Sequence, residues 1–264
     1  MSWRLLAVAT EAALRAGAIQ KERYGQELRI DYKGETDLVT EVDRDCESAV
    51  LETIRSRFPD HDVVTEETAF VGTGARTVWF VDPLDGTVNF AHGYPFFCAS
   101  VAAAVDGRVV AGAVYDPIKE ELFTAERGAG AHLNGRRLRV SRSTELIRSL
   151  LVTGFPYDVR EDLAGKLRWF NRLMGQARAV RRDGSAALDL CYVGAGRFDG
   201  FWEERLNSWD MAAGNLVVEE AGGRVSRFDG TALGLGHDEI VATNGGIHEA
   251  MLGVLQEAGH PARA

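Results

Sequence analysis

The chain has 264 residues, 45% of them hydrophobic and 26% charged, with a net charge of −9 at pH 7. This length allows one large domain or two small ones sharing an interface, and the apolar share supplies a sizeable core, which excludes a disordered protein. The acidic balance argues against a surface built to coat nucleic acid.

In chain order, residues 3–24 read as a helix with an apolar stripe at Leu6, Ala9, Ala13, Leu14 and Ile19. Arg4, Glu11 and Arg15 lie among its apolar residues, the pattern of an amphipathic helix rather than a signal peptide. Thr40 is expected as an N-cap with Asp43 as its capping-box partner, opening a helix that runs to about Phe58 and stops at Pro59. Val63-Val64 is a short strand candidate leading into Glu66-Glu67, and 71–76 is a Gly- and Thr-rich loop. The apolar run 77–81 reads as a buried strand. From 98 to 137 strands dominate, at 99–105, 108–115 and 121–124, with Asp106-Gly107 as a hairpin turn. After about Val140, strands at 149–153, 177–181, 198–203 and 240–243 alternate with helices at 161–174, 185–193, 209–221 and 247–255. Such alternation is the mark of α/β layers. No Pro- or Ser-rich linker divides the chain, so an α+β part (1–140) and an α/β part (141–264) are expected to pack as one unit.

The segment Asp82-Pro83-Leu84-Asp85-Gly86-Thr87 follows the 77–81 strand and is expected as a tight turn. Two carboxylates crowded there repel each other unless protons or cations compensate them. Oxygen ligands with no Cys or His nearby point to Mg²⁺ or a similar hard ion. The same residues also make a plain acidic turn from Asp-Pro and Asp-Gly. Asp43, Glu66-Glu67 and Asp210 could join the pair only if the fold brings them in. Taken alone, Glu66-Glu67 is a solvated pair and Asp210 an acid at a helix start, with Ser208 as the cap.

Three segments carry a resemblance: Glu66-Glu67, then Asp82-Pro83-Leu84-Asp85-Gly86-Thr87-Val88-Asn89-Phe90, then Trp209-Asp210-Met211-Ala212-Ala213-Gly214. In order and spacing they resemble the two signatures of the inositol monophosphatase family. The stretch from Asp37 to Asp43, the stretch from Arg182 to Leu190, and Phe201-Trp202-Glu203 resemble further segments of it, so the likeness covers nearly the whole chain. The resemblance implies a five-layered α-β-α-β-α sandwich and Mg²⁺-dependent hydrolysis of a phosphate monoester, with myo-inositol 1-phosphate as substrate. It implies that Glu66, Asp82 and the Leu84 carbonyl hold one Mg²⁺, that Asp82, Asp85 and Asp210 hold a second, and that Glu66 helps hold a weaker third. Thr87 with Glu66 would orient the attacking water, and Asp43 would support Thr87. Backbone N–H groups at Gly86 and Thr87 would hold phosphate oxygens, with Asp85 and Asp210 beside the substrate. Glu203 and the backbone at Gly184, Ser185 and Ala186 would bind hydroxyls of the leaving alcohol. Inhibition by lithium and a homodimer are further implications. In-line attack on phosphorus needs charge neutralisation more than a covalent nucleophile, which agrees with an acidic, metal-holding centre.

Relatives of this fold act on histidinol phosphate, fructose 1,6-bisphosphate or adenosine 3′,5′-bisphosphate, and some bacterial relatives bind the transcription machinery. A bisphosphate substrate calls for additional basic residues near the site, which the sequence does not locate. Arg181-Arg182 could touch a substrate phosphate, meet a neighbouring subunit, or be a solvent-exposed strand end. Cys46, Cys98 and Cys191 lack pairing spacing and fit reduced, buried thiols. His61, His92, His132, His237, His248 and His260 show no metal-binding spacing and are expected mostly at the surface or in loops. Gly128-Ala129-Gly130 is expected as a turn, not a dinucleotide loop. No apolar stretch is long enough to span a bilayer, so a cytoplasmic protein is expected, binding a small phosphate ester and neither membrane nor nucleic acid.

Overall fold

The computed structural model describes residues 2–32 and 38–257; Asp37 and His260 lie outside the described residues. The first helix, α1 (Ser2–Arg23), buries Leu5, Val8, Ala9, Ala12, Ala13 and Ala16. The expected stripe is therefore corrected: Leu14 is exposed, and Leu6 and Ile19 are half-buried. Four of these six apolar positions are alanines, which let the helix lie close to its neighbours but give a weak hydrophobic signal in sequence. Strands β1 (Ile30–Tyr32) and β2 (Leu38–Thr40) pair antiparallel and lead into α2 (Glu41–Arg57). Thr40 caps α2 as expected. Its hydroxyl accepts the Val42 N–H at 3.1 Å, and Asp43 Oδ2 accepts the Thr40 N–H at 2.8 Å.

Next come β3 (Asp62–Thr65), β4 (Thr77–Asp85), α3 (Thr87–Ala91), β5 (Cys98–Val105), β6 (Arg108–Asp116), β7 (Glu121–Glu126), β8 (Gly130–Leu133) and β9 (Arg136–Arg137). These seven strands form one sheet in sequence order, β3 parallel to β4 and the rest an antiparallel meander. Asp106 and Gly107 have φ of 50° and 76°, the backbone of a tight two-residue hairpin turn.

The rest of the chain gives β10 (Leu150–Thr153), α4 (Leu163–Gln176), β11 (Ala179–Arg181), α5 (Ala186–Gly194), β12 (Gly200–Glu204), α6 (Ser208–Glu220), β13 (Arg224–Ser226), β14 (Glu239–Thr243) and α7 (His248–Glu257). The second sheet has the order β11-β10-β12-β14-β13. Its first three strands are parallel, and β14 runs antiparallel to β12 and β13.

Three apolar clusters stack these parts. On one face of the first sheet, Val42, Val50 and Ile54 of α2 join the α1 face over Trp79, Val81 and Val101. On its other face, Phe80, Ala102, Val114 and Phe123 meet Leu188, Leu190, Leu216 and Val217 of α5 and α6, and this cluster continues to Val152, Phe201 and Ile240 of the second sheet. Leu151, Trp202 and Val241, one residue along each strand, point the opposite way and pack on Trp169 and Leu173 of α4 and Met251 and Leu255 of α7. The result is a five-layered α-β-α-β-α sandwich with α5 and α6 as its middle layer. One histidine departs from the expected surface positions. His248, at the start of α7, is fully buried, with Nε2 2.9 Å from Ser226 Oγ and Nδ1 3.0 Å from Thr243 Oγ1.

Candidate active site

Asp82 pairs with Ser100 and Asp85 with Cys98, so three steps along β4 oppose two along β5. That extra residue is a β-bulge, and Pro83, which has no N–H to give the ladder, suits it. The expected tight turn is thus corrected: β4 continues through Asp85, and the bulge sits between the two carboxylates. Gly86 follows as the N-cap of α3 with φ 93°. A Cβ there would lie 2.9 Å from Phe96 O, so both backbone conformation and space require glycine.

Thr87 Oγ1 lies 2.9 Å from Leu84 O and 3.1 Å from Asp43 Oδ1. Asp43 therefore serves α2 through one oxygen and Thr87 through the other. Burial pushes its carboxyl up to about 6, against hydrogen bonds from Thr40 and Thr87 that pull it down.

Two helix starts complete the acidic side. Asp85 Oδ2 accepts the Ser185 hydroxyl at 2.6 Å and the Ala187 N–H at 2.8 Å, both from the start of α5. Asp210 Oδ2 accepts the Asn207 N–H at 2.6 Å at the start of α6. Asn207, not Ser208, is the N-cap of α6; the Ser208 hydroxyl donates instead to Leu235 O at 3.0 Å. Glu66 stands just past β3, half-buried.

Glu66, Asp82, Asp85 and Asp210 line one cavity of about 190 Å³. Burial first, then repulsion from Glu66, Asp85 and Asp210, push the Asp82 carboxyl well above the usual range. Burial raises Asp85 and Asp210 as well, partly offset by the donors of Ser185 and Asn207. Among the described residues, no three His, Cys, Asp or Glu side chains are gathered tightly enough to hold a metal as they stand. What the four acids share is the cavity and its field.

The same cavity is lined by Leu84, Gly86, Thr87, Gly184, Ser185, Ala186 and Glu203, so the fold gathers every site residue read from sequence except Asp43, which stands behind Thr87. Glu203 is buried against Gly154, where a Cβ would lie 2.1 Å from its carboxylate oxygens, and burial pushes its carboxyl up to about 8. Residues outside the expected ligand and substrate set stand here as well. The Asn89 amide donates to Phe96 O at 2.8 Å and Asp183 O at 2.9 Å, fastening α3 to the loop before α5. Arg182, Asp189, Tyr157 and Arg205 line the cavity. Arg182 both lines the cavity and is exposed just past the end of β11, and nothing in the sequence marked Arg205. The three cysteines are buried free thiols, and Cys98 Sγ lies 3.9 Å from Asp85 Oδ2.

The model of the inositol monophosphatase family matches residues 3–260. The chain belongs to the inositol monophosphatase family. It is 46% identical over 248 residues to the inositol-1-monophosphatase of Synechocystis sp., covering 93% of this chain and 86% of that one. It is 45% identical over 260 residues to the Nus factor SuhB of Pseudomonas aeruginosa, covering 96% of each. The solved inositol monophosphatase of Anabaena (Nostoc) sp. superposes with a TM-score of 0.88 at 42% identity, covering 97% of this chain and 96% of that one. Membership of the inositol monophosphatase family makes the chain a phosphatase of small phosphate esters, in a family that is generally metal-dependent. No helix among the described residues is long and apolar enough to cross a membrane.

Proposed function

We propose that this protein is a Mg²⁺-dependent phosphate monoester hydrolase, two to three ions per subunit, acting on myo-inositol 1-phosphate. The observation that carries the reading is the gathering of Glu66, Asp82, Asp85 and Asp210 around one cavity, with Leu84, Gly86 and Thr87 on its wall. Four carboxylates and a carbonyl form an all-oxygen donor set, which suits a hard divalent ion. Raised carboxyls fit this as well, because divalent charge is what favours their ionised form. Glu66, Asp82 and Leu84 O would hold one ion, Asp82, Asp85 and Asp210 a second, and Glu66 would help hold a weaker third. Bound Mg²⁺ supplies Lewis acidity toward the phosphoryl oxygens and makes the attacking water more acidic.

The chain's own groups do the positioning. With its proton donated to Asp43 or to Leu84 O, the Thr87 hydroxyl presents a lone pair to the water. Water that donates to Thr87 and Glu66 has its own lone pair free to face phosphorus. N–H groups of Gly86 and Thr87 hold the phosphate. Gly184, Ser185 and Ala186, with Glu203, hold the hydroxyls of the leaving alcohol. A homodimer, a cytoplasmic location and lithium inhibition through one of the metal positions belong to the same reading. Its test is a panel of phosphate esters assayed with Mg²⁺ on the wild type and on Asp85→Asn. Hydrolysis of myo-inositol 1-phosphate that Asp85→Asn abolishes is expected; activity that survives the change would sink the metal assignment.

A second role is favoured by the relatives named Nus factor SuhB, among them the one that is 45% identical. It is binding to the transcription machinery beside catalysis. A cellular phenotype that persists in Asp85→Asn would support it, and one that disappears with activity would count against it.

A further inference from the structure

Of the buried positions on α1, Gln20 is the one with a polar side chain, and it is fully buried. Its Nε2 donates to Pro83 O at 2.8 Å, 63 positions along the chain. That contact orients the amide, because its oxygen turned toward Pro83 O would set two acceptors against each other. Oε1 has no hydrogen-bond partner among the described residues. A buried amide satisfied on one side is a cost to the fold, and an apolar side chain of similar size would fill the space without it. Packing alone therefore does not explain Gln20, and its bond to Pro83 shows what it serves.

Pro83 lies in the bulge of β4 and has no register partner on β5, so Gln20 supplies its carbonyl with a donor from another element. The other side of the same peptide unit is held too. The Leu84 N–H donates to Asp82 Oδ1 at 3.0 Å. The Pro83–Leu84 peptide is thus gripped at both polar ends, by α1 and by Asp82. Because the peptide unit is planar, the two grips act as one. Turning the carbonyl away from Gln20 would turn the N–H away from Asp82. It would also swing the next carbonyl, Leu84 O, which lies 2.9 Å from Thr87 Oγ1. Asp82 and Leu84 O are both assigned above to one ion.

We propose that Gln20 is a positioning residue for the metal centre: from α1 it fixes the Pro83–Leu84 peptide, and through that peptide the direction in which Asp82 and the Leu84 carbonyl face the ion. The proposal rests on the metal reading above and says how that site is kept in shape. Gln20 does not line the cavity and acts through Pro83. Mg²⁺ demands near-ideal octahedral geometry, whereas Ca²⁺ tolerates irregular oxygen cages. Loosening the grip on the peptide therefore weakens Mg²⁺ more than Ca²⁺.

Gln20→Met keeps the length of the side chain and removes the donor. Calorimetric titration of the full-length protein with Mg²⁺ alone, and with Ca²⁺ alone, reads the effect. Kd for Mg²⁺ is expected to rise about tenfold, the scale of one lost hydrogen bond, and Kd for Ca²⁺ to rise by clearly less. Gln20→Leu repeats the test with a different shape. Cys46→Ala is the packing control. Cys46 is buried on α2 with Sγ 3.5 Å from Ala16 O of α1, so the change loosens the same helix contact without reaching Pro83. It should lower the melting temperature and leave both Kd values where they were. A Mg²⁺ Kd unmoved in both Gln20 variants, equal rises for the two ions, or the same Mg²⁺ rise in Cys46→Ala overturns the positioning role and leaves the metal reading standing. Wild-type protein that does not bind Mg²⁺ ends the metal reading, and the positioning role with it.

Discussion

Ser185 Oγ donates to Asp85 Oδ2 at 2.6 Å, joining residues 100 positions apart. The same hydroxyl caps α5 by accepting the Leu188 N–H at 3.4 Å. Ser185→Ala removes both contacts, and the lost cap and the lost bond to a carboxylate together cost about 2 kcal/mol of stability. Denaturant unfolding should record that loss. Without its donor Asp85 holds a proton more tightly, so half-maximal activity should need more Mg²⁺. An unchanged Mg²⁺ requirement would show that the bond has no bearing on the site.

Thr87 and Asp43 make a second pair, whose role is separable from metal holding. Thr87→Val keeps the shape and removes the hydroxyl, and kcat should fall about a hundredfold or more, the typical worth of a proton-positioning group. The rise in melting temperature on adding Mg²⁺ should persist, because the acidic donors are intact. A variant that lost both together would place Thr87 among the groups that keep the site folded.

The raised carboxyls give a signed pH dependence. Asp82, Asp85 and Asp210 all have folded values above their ordinary one. Stability from such groups is fully present below the unfolded value and is lost as pH rises through the folded value. After chelation, the cluster should therefore weaken the fold more at pH 8 than at pH 5. Added Mg²⁺ should raise the melting temperature more at pH 8 than at pH 5, because protons compete for the same oxygens. A Mg²⁺ increment that does not change with pH would contradict this.

His248 gives the opposite sign. Burial pushes it from its ordinary 6.5 down to about 4, so its contribution is complete above 6.5 and is lost as pH falls toward 4. The full loss is about 3 kcal/mol. His248→Gln keeps polar atoms for Ser226 and Thr243 and has no charge to take up. The fall in unfolding free energy between pH 7 and pH 4.5 should be smaller in this variant than in the wild type, and equal falls would sink the assignment.

Much of this architecture was legible in the sequence where one local rule acts alone. Thr40 with Asp43, and Asp106-Gly107, each state their geometry within a few residues, and both appear as expected. Where burial depends on distant partners, the reading slipped. The alanine face of α1 and the buried His248 are set by what packs on them. Strands β1, β2, β9 and β13 have two or three residues each, too few to show a period. Around the cavity, Asp82 and Asp85 were visible because they are near in sequence, whereas the β-bulge between them follows from the pairing with β5. Arg205 stood apart from any motif and is placed there by the end of β12.

The middle helical layer has a consequence for synthesis. All seven strands of the first sheet leave the ribosome before α5 and α6 exist. Until then Phe80, Ala102, Val114 and Phe123 have nothing to cover them, and the outward face of that sheet is greasy and exposed. A nascent chain stopped near residue 140 would therefore be sticky, a natural client for chaperones and a seed for aggregation. Release from that state waits for Leu216 and Val217 to arrive, and Asp210, on the same helix, arrives with them.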